Sequence, residues 1–192
     1  METLWSDFIN SEWHDWKGGG RSEDRLEKPS WQSGFLNDWR LRAPVPATDD
    51  DIAAMREFRE KLHALAVDLA GGGEMGEGAW HLLNQYMKPG TVYREFAADR
   101  EGSVKLQYRP AMAEWRQVLA EVAASFGQTV SQGEAGRIRV CDNPDCRWIF
   151  YDDTRNRTKK YCDDKMCGNL MKVRRFRARK KAEQNSDGDA EA

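Results

Sequence analysis

The sequence predicts an α+β fold, in which a mostly helical N-terminal domain with a small β-hairpin precedes a cysteine-rich module that ends in a basic helix. Three observations support this prediction. Segments ahead of the cysteines show helical and then strand-like apolar periodicity. All four cysteines fall between positions 141 and 167, and a dense run of arginines and lysines follows them. We therefore place the N-terminal domain at 1–136, the module at 137–182 and an acidic tail, predicted to be disordered, at 183–192.

The first part of the domain is predicted to be mainly helical. The stretch KGGGRSEDR at 17–25 predicts an exposed flexible loop, and FLNDWRL at 35–41 predicts a short helix. Thr48 or Asp49 can cap a longer helix that runs to about Ala70. Its apolar residues recur three or four positions apart: Ile52, Met55, Phe58, Leu62, Leu65 and Leu69.

The apolar period changes in the second part of the domain. A shorter helix is predicted at 77–87. The segments TVYREFAA at 91–98 and SVKLQYRP at 103–110 then alternate every second residue, which predicts a β-hairpin with Gly102 in its turn.

The clearest amphipathic pattern lies at 111–126, where a helix is predicted with Gly127 as its C-cap. The segment RIRV at 137–140 then predicts a short strand that leads into Cys141. The chain thus reaches its first cysteine from a compact, mostly helical unit.

The cysteines have the spacing Cys-x4-Cys-x15-Cys-x4-Cys: Cys141, Cys146, Cys162 and Cys167. A structural Zn²⁺ ion takes four tetrahedral ligands, and two close pairs of thiolates supply them. We therefore predict structural zinc, with no open position for catalysis. Free thiols, two disulfides and an iron–sulfur cluster are the alternatives, although iron–sulfur motifs usually space several ligands two residues apart.

The segments around the cysteines have the order of a treble-clef-type zinc finger. RWIFY at 147–151 predicts a strand, DDTRNRT at 152–158 a turn, and KKYC at 159–162 a short return strand. GNLMKVRRFRARKKA at 168–182 has helical propensity. The metal should supply much of the stability of this module, since apparent zinc binding by such peptides is worth ~10–16 kcal/mol.

A run of positive charge without any acid follows the last cysteine, and a second basic group lies in the turn. Because arginine and lysine neutralise phosphates and release counterions, we predict a nucleic-acid partner, with duplex DNA expected and RNA as the alternative. The predicted nucleic-acid-binding residues are Arg155, Arg157, Lys159, Lys160, Lys172, Arg174, Arg175, Arg177, Arg179, Lys180 and Lys181. A solvated helix, pairing with acids elsewhere in the chain, anionic lipid and an acidic protein are the other interpretations.

The net charge of −2 conceals an asymmetry, since residues 1–140 carry −5, residues 141–182 carry +7 and residues 183–192 carry −4. The N-terminal METLWSDFINSEW lacks a basic segment followed by an apolar one, and no window approaches the ~18 apolar residues of a membrane span. We therefore expect a cytoplasmic protein without a membrane partner, where paired cysteines hold metal more often than they form disulfides.

The module resembles the CGNR zinc-finger family. The motifs that carry this resemblance are CDNPDCRWIF, D-x-x-R-N-R from Asp152 to Arg157, KKYC, CGN and KVRRFRAR. The family name denotes Cys-Gly-Asn-Arg, whereas this chain has Leu170 in place of the arginine, so a contact made by that arginine is absent here.

In this family the finger commonly follows an ABATE-type domain, which is described as a stress-induced transcription regulator. The segments DFINSEW, from Asp7 to Trp13, and MREFREKLHAL, from Met55 to Leu65, resemble the N-terminal strand and first long helix of that domain. The resemblance implies an N-terminal domain that senses a signal and a finger that engages nucleic acid.

The function expected is therefore transcription regulation in a stress response, with an N-terminal domain that binds a small-molecule effector or forms a homodimer. An RNA-associated or protein-adaptor module is the alternative. No enzyme is predicted, because the sequence has no nucleophile–base pair, and KGGGRS at 17–22 is a weak phosphate-loop candidate. Candidate ligand-pocket residues are Asp7, Asn10, Arg56 and Arg59, which could equally cap local structure or lie on a solvated face.

Overall fold

The computed structural model of the chain describes residues 3–98 and 101–188, with side chains as far as Gln184. Its helices are α1 (Leu4–Ile9), α2 (Pro29–Asp38), α3 (Asp49–Ala70), α4 (Glu77–Met87), α5 (Trp115–Ser131) and α6 (Asn169–Gly188). Its strands are β1 (Glu12–His14), β2 (Ser22–Asp24), β3 (Val92–Ala98), β4 (Val104–Pro110), β5 (Ile138–Val140) and β6 (Ile149–Tyr151). The strands pair as three antiparallel ribbons, β1–β2, β3–β4 and β5–β6. The predicted α+β class is confirmed.

Helix α3 is the central element, and α1, α5 and β5 pack against it. It begins with a capping box, in which Thr48 Oγ1 accepts from the backbone N–H of Asp51, and Asp51 Oδ2 accepts from that of Thr48, both at 3.2 Å. The predicted helix to Ala70 is confirmed. Its buried residues are Met55, Phe58, Arg59, Leu62, Ala66 and Leu69.

Aromatic residues from α1, α3 and α5 form the centre of the core. Phe8 lies 5.8 Å from Phe58 between ring centroids, and Trp5 meets Phe126 edge to face at 5.3 Å. All four side chains are fully buried, and each removes about 150–250 Å² from water. Trp5 also donates from Nε1 to Thr129 Oγ1 at 3.0 Å, which satisfies its polar atom inside the core.

The N-terminal segment differs from the prediction. Residues 7–13 resembled a strand, but Leu4–Ile9 is helical and only Glu12–His14 is extended. The reason is a capping box between Thr3 and Ser6, combined with burial of Trp5, Phe8 and Ile9 at helical spacing. The loop expected at 17–25 is shorter than predicted, because Ser22–Asp24 forms β2 and pairs with β1.

Two helices have shifted boundaries. The helix expected at 35–41 begins earlier, at Pro29, whose fixed φ favours a first helical position, and it ends at Asp38. Helix α5 begins four residues later than predicted, because the Ala111 backbone N–H still bonds to Thr91 O at the base of the hairpin. Gly127 lies inside α5 rather than at its end.

The cysteine-rich module shares the core of the N-terminal domain. Ile138 and Ile149 are 1% and 0% exposed and belong to the same apolar cluster as Phe8 and Phe58. Asn10 bonds to the outer edge of β6 in both directions, donating to Ile149 O at 2.8 Å and accepting from Ile149 N at 3.0 Å. The module is therefore docked on the domain rather than tethered to it.

Helix α6 runs to Gly188, so residues 183–188, assigned to a disordered tail from the sequence, are helical. Ala182, Glu183 and Gln184 are good helix formers and continue the helix without a break. The rest of the predicted tail, 189–192, lies outside the described residues. None of the helices in the described ranges is long and apolar enough to cross a membrane.

We predict that Asn10→Ala lowers the free energy of unfolding by about 2–4 kcal/mol, because it leaves the buried N–H and C=O of Ile149 without partners. Urea denaturation of the full chain measures this change. Asn84→Ala, at an exposed position of α4, is the matched control and should change stability by less than about 0.5 kcal/mol. Equal effects of the two substitutions would contradict the docking role of Asn10.

Candidate metal centre and nucleic-acid surface

The sulfur atoms of Cys141, Cys146, Cys162 and Cys167 all lie within 4.8 Å of one another. Cys162 Sγ is 3.6 Å from Cys146 Sγ and 3.9 Å from Cys167 Sγ. A tetrahedral zinc ion with Zn–S bonds of ~2.3 Å separates its sulfurs by about 3.8 Å. The cluster thus has the donor set and the dimensions of a closed structural zinc site, and its sulfurs are not joined as disulfides.

Backbone turns present each pair of sulfurs. The first pair lies in the loop between β5 and β6, closed by hydrogen bonds from Cys141 N to Trp148 O at 2.8 Å and from Cys146 N to Asn143 O at 3.0 Å. The second pair flanks a tight turn in which Asp163 Oδ1 accepts from Met166 N at 2.8 Å. That turn leads directly into α6, so the metal position fixes where the basic helix starts.

Outside the sulfurs, Asn143 joins the metal cluster to the N-terminal domain. It is fully buried, and its Nδ2 donates to Cys167 Sγ at 3.3 Å and to Trp16 O at 2.8 Å. Trp16 itself packs against the cysteine cluster. The spacing of the cysteines gave no sign of this contact, since Trp16 lies far from Asn143 in sequence.

Close packing of the sulfurs perturbs their protonation. Hydrogen bonds from Cys146 and Cys162 lower the pKa of Cys141, and the same contacts with Cys141 raise the pKa of Cys146 and Cys162. Burial raises the pKa of Cys167. Four thiolates this close repel one another, so full deprotonation requires a divalent cation among them.

The hairpin of the finger is built differently from the prediction. Strand β6 pairs with β5, through Val140 opposite Ile149 and Ile138 opposite Tyr151, and not with the return segment at 159–162. That segment is non-regular and contacts the first cysteine loop through the bond from Asp142 N to Lys160 O at 2.8 Å. The ribbon therefore encloses the first pair of cysteines rather than the basic turn.

Asp152 organises the basic turn. Its fully buried carboxylate accepts from Thr154 Oγ1 at 2.5 Å and from the backbone N–H groups of Thr154 and Lys159, both at 2.9 Å. Burial acts to raise the pKa of Asp152, but these hydrogen bonds outweigh it and lower the pKa. The carboxylate thus stays charged and holds the turn open to solvent, with Arg155 and Lys160 exposed. Sequence analysis included Asp152 in a motif without assigning it this role.

Several of the predicted nucleic-acid-binding residues make contacts within the protein, and Lys180 Nζ, for example, lies 5.5 Å from the ring centroid of Phe176. Arg174 bonds to Asp145 Oδ2 at 2.6 Å and to Lys17 O at 3.0 Å, where Gly18 has a φ of 88° and a Cβ would lie 2.8 Å from the Arg174 guanidinium. Arg175 donates to Tyr161 Oη at 2.8 Å. Lys159 Nζ lies 5.5 Å from the ring centroid of Phe150.

The other cations of this set are exposed. Within the part of the chain whose side chains are described, Arg157 Nη2 lies 3.9 Å from a Glu134 oxygen. No acid in that part pairs with Arg155, Lys160, Lys172, Arg177, Arg179, Lys180 or Lys181. One interpretation of the basic residues is pairing with acids of the N-terminal domain. Among the described side chains, Arg157 of the basic turn makes such a pair, and no cation of the run on α6 does. The remaining positive charge faces solvent.

The four candidate pocket residues do not share one cavity. Asp7 accepts from Trp39 Nε1 at 2.7 Å, and Asn10 is used at the edge of β6. Arg59 and Arg56 both pair with Asp24, at 2.7 and 2.8 Å. Burial acts to raise the pKa of Asp24, but the hydrogen bonds from the two arginines lower it to about 2. Asn10 and Arg59 also line a cavity of about 210 Å³, which Asp7 and Arg56 do not reach.

A larger cavity of about 400 Å³ lies between the N-terminal domain and the finger. Trp13 and Trp16 line it from the domain, and Trp148 and Tyr151 line it from the finger. Two cations, Arg25 and Lys159, and one acid, Asp163, also line it, and so do three of the cysteines, namely Cys146, Cys162 and Cys167. Of the candidate pocket residues, Asn10 lines this cavity as well, whereas the rest of its lining was not predicted, because its walls come from segments more than a hundred residues apart.

Two family models match the chain. Residues 137–180 match the model described as "CGNR zinc finger", and residues 2–133 match the model described as "ABATE: Putative stress-induced transcription regulator". No curated protein matches the chain. The resemblance to both families is therefore confirmed, and with it the four-sulfur cluster is a structural zinc site.

We predict that Cys162→Ser lowers the zinc content of the purified full chain from about one ion to well below half an ion, because a closed site loses one of its four ligands. Metal analysis by mass spectrometry measures this content. The melting temperature should fall as well, since zinc binding contributes to folding.

The matched control is Ala124→Ser, which places a serine at an exposed position of α5 and should leave the zinc content unchanged. A full equivalent of zinc in Cys162→Ser would show that the four thiols are not the ligand set.

Proposed function

We propose that this chain, which belongs to the ABATE family, is a transcription regulator whose zinc finger binds duplex DNA. The observation that carries the proposal is a set of exposed cations that pair with no acid among the residues whose side chains are described, extending from a module whose shape is fixed by one metal site. Phosphates of nucleic acid neutralise such a set, and the release of their counterions drives binding.

The two basic groups belong to one side of the finger. Arg175 on α6 donates a hydrogen bond to Tyr161. Tyr161 comes directly after Lys160, the last residue of the basic turn. The helix is therefore held beside the turn, and both groups can contact one stretch of duplex. A helix fits the major groove of DNA, so α6 would enter the groove while Arg155 and Lys160 contact the backbone.

The aromatic residues on and beside β6 offer little surface for stacking on unpaired bases, whereas Phe176 on α6 is 51% exposed. Phe150 is buried in the cysteine cluster, and Trp148 packs against it. Tyr151 donates to Glu134 Oε2 at 2.8 Å. The second candidate is an RNA-associated or adaptor function. Comparing duplex DNA with single-stranded RNA in the binding experiment separates it from the first.

The N-terminal domain, proposed to span 1–136, holds the finger in a fixed orientation. The finger is proposed to span 137–182. Three contacts hold it: Asn10 bonds to β6, the Trp16 carbonyl accepts from Asn143, and the Lys17 carbonyl accepts from Arg174. A ligand that moves this contact surface would turn the basic helix. We propose no catalytic role for the domain, and we place the protein in the cytoplasm.

The cavity of about 400 Å³ between domain and finger is the effector site that this arrangement favours. Its tryptophans suit a planar aromatic ring, and Arg25 and Lys159 suit a carboxylate. A small aromatic acid is thus the ligand class we propose, at a cavity that Asn10 lines and that the other expected pocket residues, Asp7, Arg56 and Arg59, do not. Binding there would couple to DNA affinity, because both units line the site.

We predict that removing four cations of α6 together, as Arg177→Ala, Arg179→Ala, Lys180→Ala and Lys181→Ala, weakens duplex binding by the full chain. The dependence of log K on log salt should lose a slope of about 2–4, since each phosphate contact contributes ~0.9. Fluorescence anisotropy with a random-sequence duplex between low and physiological salt measures both quantities.

The control carries Arg42→Ala and Lys88→Ala, two exposed cations outside the finger, and should retain the wild-type slope. Single-stranded RNA and heparin are compared in parallel. A wild-type protein that shows no duplex binding at low salt would contradict the proposal. A preference for single-stranded RNA over duplex DNA would support the RNA-associated function instead.

We predict that the aromatic acid 2-naphthoate binds the full chain and that Arg25→Gln weakens this binding about tenfold, through loss of one charge contact. Isothermal titration calorimetry measures the affinities, with 2-naphthylmethanol as the uncharged ligand and Arg42→Gln as the control variant. Equal binding of acid and alcohol, or no binding of the acid at millimolar concentration, would contradict the proposed ligand class.

A further inference from the structure

The β3–β4 ribbon has an apolar face that is open to solvent. Phe96 lies opposite Leu106, Ala98 opposite Val104, Arg94 opposite Tyr108 and Val92 opposite Pro110, so these residues share one face. The exposed fractions of its large apolar side chains are high: Val92 48%, Phe96 77%, Val104 63%, Leu106 48% and Tyr108 59%.

The opposite face of the ribbon is polar by comparison. It carries Glu95 and Arg109, which form an ion pair at 2.7 Å, together with Lys105 and Gln107. A sheet with one apolar and one polar face normally covers the apolar one. An isolated two-stranded ribbon is also marginally stable in water, so this face is expected to pack against another molecule.

We propose that the apolar face packs against the same face of a second copy of this chain, in a closed two-fold dimer. Identical apolar faces are complementary to each other under a two-fold axis, which requires no separate partner. The face is poor in charge, and such a surface does not suit a polyanion such as DNA or an acidic peptide.

Arg94, the one charged residue among the described residues of the face, is compatible with this arrangement. The Arg94 guanidinium lies 5.7 Å from the ring centroid of Tyr108, and the face of the ring attracts its positive charge. With the two-fold axis in the plane of the interface, perpendicular to the strands and at the Phe96–Leu106 pair, each Arg94 lies two residues from the axis on opposite sides. The two Arg94 Cα positions are then roughly 13 Å apart along the strands, where the repulsion of two charges at an effective dielectric constant of ~20 is about 1 kcal/mol.

The area available is sufficient for a specific dimer. With about 200 Å² for each aromatic side chain and somewhat less for valine and leucine, the exposed fractions of the five large residues leave roughly 500 Å² of surface in each copy. Two copies then bury about 1,000 Å², before Arg94, Ala98 and Pro110 are included, which is the lower limit for a biological interface. The inference stands independently of the proposed DNA binding, because it concerns a different surface.

Two tyrosines of the ribbon provide a matched test. Tyr108 lies on the apolar face and is 59% exposed, whereas Tyr93 lies on the polar face and is 49% exposed. Sedimentation equilibrium of the full, zinc-loaded chain should give a dimer at about 10 μM for the wild type and for Tyr93→Asp. Tyr108→Asp and Phe96→Asp should raise the dissociation constant at least about 30-fold, as loss of a central contact does.

Far-ultraviolet circular dichroism and zinc content verify that each variant is folded, and exposed positions make this the expected result. A monomeric wild type at 100 μM would overturn the proposal, and so would larger open assemblies. Dimers that survive Phe96→Asp, or that Tyr93→Asp dissociates equally, would place the interface elsewhere and overturn it as well.

Discussion

The bonds between four cysteine sulfurs and one zinc ion are the constraint on which the C-terminal finger depends. Without it, the loop between β5 and β6 and the turn before α6 meet only through a small cluster around Phe150, Trp148 and Tyr161 and the contact of Asn143 with Cys167. With it, both turns are fixed within a few ångströms, and the start of the basic helix is fixed with them. Chain segments that would otherwise repel one another through their cations are thereby held side by side.

Zinc alone does not set the direction in which the finger points. That direction comes from contacts with the N-terminal domain, where Ile138 and Ile149 enter the main core and Asn10 completes the edge of β6. Asn143 links the two constraints, since one amide group contacts both a zinc-ligand sulfur and the Trp16 carbonyl. The aromatic cavity proposed as the effector site lies at this junction.

Sequence patterns predicted the elements whose formation is local. Helix α3, helix α4 and the β3–β4 ribbon occur close to where periodicity and capping residues placed them, and the cysteine spacing identified the metal site. Elements decided by distant contacts were missed. Strand β6 pairs with β5 and not with the return segment that was expected to be its partner. Residues 4–9 form helix α1 rather than the expected strand, because their aromatic residues pack on α3 and α5. Periodicity also cannot show that Arg174 docks the helix while Arg177 faces solvent, since both lie in one basic run.

X-ray absorption at the zinc edge of the purified full chain tests the central claim most directly. The account predicts a first shell of four sulfur atoms at about 2.3 Å, with no nitrogen or oxygen ligand. A shell that contains light-atom ligands, or fewer than four sulfurs, would contradict it, because the position of the basic helix would then rest on something other than these four thiolates.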